Sequence, residues 1–575
     1  MHDVGLIDGD VDSLASRLED AIPELLEKAN IPGLSVALIK DGETLWRRGF
    51  GVKNALTGKP VLEDTVFEAA SFTKPFFAYL VMKMVEGGEI DLDRPLVEYV
   101  PEDYVEKVYL AHPLDAEGFR GDWFRRITAR MVLSHSSGLP HAPYDGPVPI
   151  HFEPGTQYKY SANGYMYLQR IVERLRGEPL EETMRREVLE PLGMGDSSMV
   201  WRGEYEEKAA VGHDILGRTD GEHRRRVLAV SAASLYTTAG DYARFVSAVM
   251  NGEGLEEETV AEMLGPQVDV DEGVRWSLGF GLEDSGQGEA FWQWGDYGIF
   301  RNYVRAHRER GIGVVYLTNS FNGLSIGPEM MDLVFGDGDD PALRWLDYEH
   351  YGSPRYRFLD KLVDGGLQEA AEFYREAREK HPDDFSEEGM SILGRRVFGS
   401  GNSDEAVFVY RLNAESHPGS PEAHINLGEA YVTAGRDDLA AESFNRAMEL
   451  EPGNKSARRN LAMLELVRVA KEDVGRALSI YRALRAERPE DHTEGTLSGF
   501  GRTLLSGKRL QEAAGVLKVG VKAYPDSSDA HLNLAQAQKM RGRREDALES
   551  CRRALKLNQY NWVAIFLLKS IERGL

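Results

Sequence analysis

At 575 residues the chain exceeds what one hydrophobic core holds, and its 42% apolar and 28% charged content excludes wholesale disorder. A net charge of −26 excludes a nucleic-acid partner, which needs a basic footprint to release counterions, and argues against adhesion to an anionic membrane. The single cysteine, Cys551, excludes an intramolecular disulfide and suits a reducing compartment.

The opening stretch MHDVGLIDGDVDSLASRLEDAIPELL has no basic start and no continuous apolar run, so no secretory signal is expected. No window approaches the ~18 uninterrupted apolar residues of a membrane span, and a cytoplasmic protein is expected. Residues 11–30 have the periodicity of an amphipathic helix, closed by Pro32-Gly33. LSVALIKDGETLWRRGFGVKN then alternates as two strands about a tight turn at Asp41-Gly42. Far downstream, FRNYVRAH and GIGVVYLTNS are expected to pair across Glu309–Gly311. Strands at both ends with helical stretches between them predict an α+β domain whose sheet brings its ends together.

The chemistry begins in VFEAASFTKPFFAYLVMKMVEGG. If Ser71 opens a helix, Lys74 lies one turn later on the same face, so hydroxyl and amine can meet. The helix N-terminus offers backbone N–H groups where an oxyanion would form. A serine hydroxyl needs a neighbouring base to act as nucleophile, and a lysine serves only if its pKa is pushed down. Four residues match by chance often, and taken alone Ser71 reads as a helix cap.

Two further segments stand in register with it: ITARMVLSHSSGLP, residues 127–140, and EPGTQYKYSANGYMYLQRIVE, residues 153–173. Ser71-x-x-Lys74, the loop His135-Ser136-Ser137-Gly138-Leu139 and the element Tyr160-Ser161-Ala162-Asn163-Gly164-Tyr165 resemble, in order and spacing, the family of class C β-lactamases, D-alanyl-D-alanine carboxypeptidases and related esterases and D-aminopeptidases. The resemblance spans about residues 15–325 and implies a β-lactamase/transpeptidase-like fold, an antiparallel sheet with a helical region. It implies Ser71 as nucleophile, Lys74 as the amine beside it and Tyr160 as a second base, a phenol held partly ionised by flanking cations. His135 then belongs to a structural loop, and Asp241 to a helix-capping position.

The pattern also departs from the family. Gln293-Trp294-Gly295 stands where K-T-G or H-x-G is usual, so a neutral amide replaces a charge, and Ala162 replaces the asparagine or glycine after Tyr-Ser. Asn163 follows one residue later. By the same resemblance, the N–H groups of Ser71 and Asp296 would hold the oxyanion. The reading is a serine hydrolase that forms an acyl-enzyme on a small ester, amide or D-amino-acid-type peptide. Its rival is a catalytically weakened hydrolase fold that serves as a binding protein. No metal-ligand pattern such as H-E-x-x-H occurs, and no metal or cofactor is expected.

Toward the C-terminus, Pro382, Pro418, Pro452, Pro489 and Pro525 follow one another at 36, 34, 37 and 36 residues. In PEAHINLGEAYVTAGRDDLAAESFNRAMELEP, Leu427, Gly428 and Tyr431 share a face of one helix, and Ala440, Phe444 and Ala447 a face of the next. This is similar to the tetratricopeptide repeat, and implies an all-α solenoid of about six helix pairs with a protein or peptide partner. Asn426, Asn460 and Asn533 recur at a position that in this family faces the concave groove. The expected domains are 1–335 for the hydrolase, 336–353 for a linker and 354–575 for the repeats.

Overall fold

The computed structural model describes residues 11–110, 112–141, 148–336, 338 and 340–574, and the chain divides into two units, Met1–Gly352 and Ser353–Leu575. The first is organised by strands β1 (Gly33–Lys40), β2 (Glu43–Asn54), β3 (Lys59–Pro60), β4 (Phe67–Glu68), β5 (Tyr236–Thr237), β6 (Val268–Asp271), β7 (Val274–Trp276), β8 (Gly281–Ser285), β9 (Gly288–Asp296), β10 (Arg301–His307) and β11 (Ile312–Thr318). Nine form one antiparallel sheet in the order β3-β2-β1-β11-β10-β9-β8-β7-β6, while β4 and β5 pair separately. The expected closure of the sheet is present, with Leu34 opposite Thr318 and Ile39 opposite Gly313. Asp41 (φ 54°) and Gly42 (φ 73°) both lie at positive φ, as a two-residue hairpin turn between right-twisted strands requires.

β1 is buried on both faces, so its side chains sort by the period of two. Val36 and Leu38 pack with Leu18 and Ile22 of the helix α1 (Val11–Lys28), and with Met330 and Val334. Ala37 and Ile39 face the helical region, against Phe76, Tyr242 and Phe245. Phe72 and Phe76, beside Ser71 and Lys74, belong to this second side, where the end of β9 meets the turn before the helix.

Within the stretch 336–353, expected as a linker, residues 340–352 pack with the first unit. Arg305 on β10 is fully buried, and its guanidinium pairs with Glu283 at 2.8 Å and Asp340 at 2.6 Å. A buried arginine left without carboxylates is strongly destabilising, so this pairing anchors the segment. The helix Pro341–Leu346 follows, and Trp345 packs its ring against Trp292 and Trp294 at 5.9 Å each.

The second unit consists of six helix pairs, from Pro354–Asp364 with Gly366–Lys380 to Ser528–Met540 with Arg544–Leu557, and a last helix Trp562–Glu572. The first helix of every pair, and the last helix, is capped by a side chain that accepts from the backbone three residues on: Ser353, Ser386, Ser420, Asn454, Thr493, Ser527 and Asn561. Close approach within pairs rests on glycine. A Cβ on Gly428 would stand 2.4 Å from the Phe444 ring, and one on Gly501 2.6 Å from Leu517. Among the described residues, no helix is long and apolar enough to cross a membrane.

Candidate active site

Ser71 sits in a single 3-10 turn, Ala70–Phe72, that runs directly into helix α2 (Thr73–Glu86). Ala70 adopts φ 50°, the left-handed region that costs a residue bearing Cβ about 1–2 kcal/mol. The surroundings hold it there. Thr73 Oγ1 donates to the Ala70 carbonyl at 2.7 Å and accepts from Leu235 N at 3.0 Å. Ala69 N donates to Leu235 O at 2.8 Å, and the Tyr242 hydroxyl to Phe72 O at 3.0 Å. A backbone fixed this firmly presents the Ser71 hydroxyl in one direction.

Lys74 follows one turn later, as its spacing predicts. Its Nζ lies 2.9 Å from Ser71 Oγ and 2.8 Å from the Ala232 carbonyl. The amine is 1% exposed and lies over the rings of Tyr160 and Tyr165, at 4.7 and 5.8 Å. Burial lowers its pKa to about 7. Half of the amines are then neutral near physiological pH, and a neutral amine can take the Ser71 proton.

Tyr160 shares this cluster, but its charge state differs from the expectation. Burial raises the phenol above its ordinary value, and the nearby Ser71 hydroxyl and Gln293 amide offset that only in part. The nearby lysine is itself the group driven toward neutrality. Tyr160 is therefore a neutral phenol, and its hydroxyl closes no hydrogen bond of good geometry among the described residues. The His135 ring lies 4.2 Å from that of Tyr160, tilted by 37°, and its Nδ1 accepts from Ser161 N at 3.0 Å. Burial keeps the imidazole neutral, in the structural place expected of it. Asp241 does not cap its helix: the Thr238 side chain does, while the Asp241 carboxylate accepts from Asp196 N and Ser197 Oγ.

The end of β9 forms the opposite wall. Gly295 is there because a Cβ would fall 2.4 Å from the Ala69 carbonyl, so the strand touches the turn that carries Ser71. Gln293 is fully buried and engaged with the chain: Nε2 donates to Ser71 O at 3.1 Å, and Oε1 accepts from Trp294 N at 3.2 Å. Its amide thus holds the Ser71 peptide. Trp294 lies 4.6 Å from the Tyr160 ring. The Asp296 carboxylate accepts from Arg301 at 3.1 Å and the Tyr348 hydroxyl at 2.6 Å. Ala162 opens the helix Ala162–Arg176 and packs on the apolar core, and Asn163 beside it is buried, with its carbonyl accepting from the Tyr109 hydroxyl.

Sequence reading missed the Ala232 carbonyl, which receives the Lys74 amine, and Trp276, whose ring lies 5.8 Å from that of Tyr160. A backbone acceptor carries no residue signature, and a tryptophan far along the chain from Tyr160 gives no sign that the two rings meet. Each of the repeat asparagines donates to the repeat before it: Asn426 to Ser391 at 3.5 Å, Asn460 to Glu429 at 3.0 Å and Asn533 to Ser498 at 3.1 Å. Their amides join neighbouring first helices. Asn460 also borders a concavity of about 400 Å³ with Glu429, Arg459 and Phe500.

Known proteins resemble both parts of the chain. The family model described as beta-lactamase matches residues 18–335, and models of the tetratricopeptide repeat match 421–454 and 499–561. Esterase EstB of Burkholderia gladioli is 28% identical over 374 residues, covering 56% of this chain and 94% of that protein. Penicillin-binding protein 4 of Amycolatopsis lactamdurans is 26% identical over 40% of this chain and 61% of its own length. A D-aminopeptidase of Gluconobacter oxydans is 28% identical over 32% of this chain and 35% of its own. A solved D-alanine carboxypeptidase from Burkholderia cenocepacia superposes with a TM-score of 0.48 at 19% identity, over 57% of this chain and 99% of that one.

Proposed function

This chain belongs to the beta-lactamase family through residues 18–335, and on that premise we propose that it is a serine hydrolase working through an acyl-enzyme at Ser71. The observation that carries the reading is the buried Lys74 amine, 2.9 Å from Ser71 Oγ with a pKa of about 7. Neutral Lys74 takes the hydroxyl proton as Oγ attacks the carbonyl carbon of the substrate. The N–H groups of Ser71 and Asp296 hold the oxyanion. The neutral phenol of Tyr160 gives its proton to the leaving group and regains one from Lys74. Water then cleaves the acyl-enzyme by the same route in reverse. Ester substrates stand first, because the relative matched over 94% of its length is an esterase; small amides and D-amino-acid-type peptides follow. The repeat unit is assigned a protein or peptide partner.

A fluorophosphonate probe tests this. The expected result is one covalent adduct on Ser71, absent in Ser71→Ala and strongly slowed in Lys74→Ala. A second reading, a hydrolase fold kept for binding, is favoured by the neutral and fully engaged Gln293. Absence of labelling in the folded wild-type chain would establish it instead.

A further inference from the structure

Three consecutive arginines divide their partners unequally. Arg225 makes a bidentate pair with Glu206, at 2.7 and 3.0 Å. Arg224 and Arg226 share one carboxylate, Glu68, at 3.9 and 3.6 Å. Among the described residues, Glu68 is the one carboxylate within 4 Å of either guanidinium. Two cations thus face a single anion, and the cluster keeps one positive charge on a chain of net charge −26. Glu68 is buried and its Oε2 accepts no hydrogen bond of good geometry, whereas the Arg224 side chain is 43% exposed.

The cluster's place in the fold connects it to the site. Both guanidinium groups lie over the ring of Tyr297, at 5.4 Å for Arg224 and 4.6 Å for Arg226. Tyr297 directly follows Asp296, and its hydroxyl donates to the Ala233 carbonyl. The neighbouring Ala232 carbonyl receives the Lys74 amine. Tyr297 therefore bridges from the end of β9 to the segment beside Lys74. Tyr297 is the residue next to the Asp296 N–H, and its ring carries both guanidinium groups. Gln293, bound to Ser71 O, offers no competing cation.

We propose that Arg224 and Arg226 form an anion subsite for the acyl chain, so that the preferred substrates are esters or amides whose acyl group ends in a carboxylate, such as half-esters of short dicarboxylic acids. The proposal rests on the assignment of Ser71 as nucleophile. The recognition is charge-assisted hydrogen bonding from a guanidinium fork to a carboxylate, with Tyr297 as the apolar floor beneath the methylene groups.

The test compares mono-p-nitrophenyl glutarate with p-nitrophenyl valerate, each corrected for spontaneous hydrolysis. In the wild type, kcat/KM should favour the glutarate by roughly tenfold or more, the scale of one hydrogen bond to a charged group. Arg224→Gln should bring the ratio near one, and Glu68→Gln, which removes the competing carboxylate, should raise it. A wild-type ratio of one or below, or a preference that survives Arg224→Gln, overturns the subsite while leaving the hydrolase intact. A turnover-free arm separates the two ideas: calorimetry on full-length Ser71→Ala should detect monomethyl glutarate but not methyl valerate. Equal binding of both, or of neither, would count against the subsite even if no ester were hydrolysed.

Discussion

Lys74 owes its chemistry to what surrounds it. Carried in water its amine would hold a proton to high pH; here burial against Tyr160 and Tyr165 lowers the pKa to about 7. Because the neutral form is the base, kcat/KM for a p-nitrophenyl ester should rise with pH through about 7 and level off above it. A flat profile between pH 6 and 8 would contradict this. Stability follows the same group: between about 7 and the ordinary value of 10.5 the unfolded chain binds the proton that the folded chain has lost, so Lys74 makes unfolding harder as pH rises across that window. Lys74→Met should flatten that part of the stability profile, measured by denaturant unfolding. Gln293 belongs to the same scale. Its loss in Gln293→Ala leaves the Ser71 carbonyl without its amide donor, and about 1–3 kcal/mol of unfolding free energy should disappear with it. An unchanged unfolding midpoint would show that the contact contributes nothing.

At the scale of elements, the site is a docking of β9 onto the turn before α2. Gly295 permits it, and β4 with β5 fixes the turn from behind, since Ala69 N bonds Leu235 O and Asn302 Nδ2 bonds Glu68 O. Gly295→Ala places a methyl group 2.4 Å from a backbone oxygen that cannot rotate away. β9 must retreat and take the Asp296 N–H with it. The expected loss is about 10²-fold in kcat, the scale for one oxyanion donor. Near-wild-type turnover in this variant would remove Asp296 from the mechanism. The S-x-x-K spacing was enough to place Ser71 and Lys74 together, because three residues are one helical turn wherever the helix lies. The neutrality of Tyr160 was not legible, because it depends on burial by segments far away in the chain.

At the scale of the molecule, the two units carry separate cores. Overpacking one repeat should therefore act locally. Gly428→Leu drives a side chain into the Phe444 ring and should cost the repeat unit about 1–3 kcal/mol. Calorimetry should show one of two transitions moving down while ester hydrolysis at low temperature is unchanged. If both transitions shifted together, the units would have to be one cooperative body.

Local periodicity and short motifs determined a good deal of this protein unaided: the hairpin at Asp41-Gly42, the amphipathic first helix, the helix pairs and the pairing of Ser71 with Lys74. Each rests on forces acting within a few residues or on a repeat that reports itself many times. Tertiary structure alone decided the pKa of Lys74, the neutral state of Tyr160, the engagement of Gln293 with Ser71 O, the packing of residues 340–352 with the first unit, and the sharing of Glu68 by Arg224 and Arg226. Those outcomes depend on which distant groups exclude water from a charge or supply its partner, and desolvation has no signature in the order of residues.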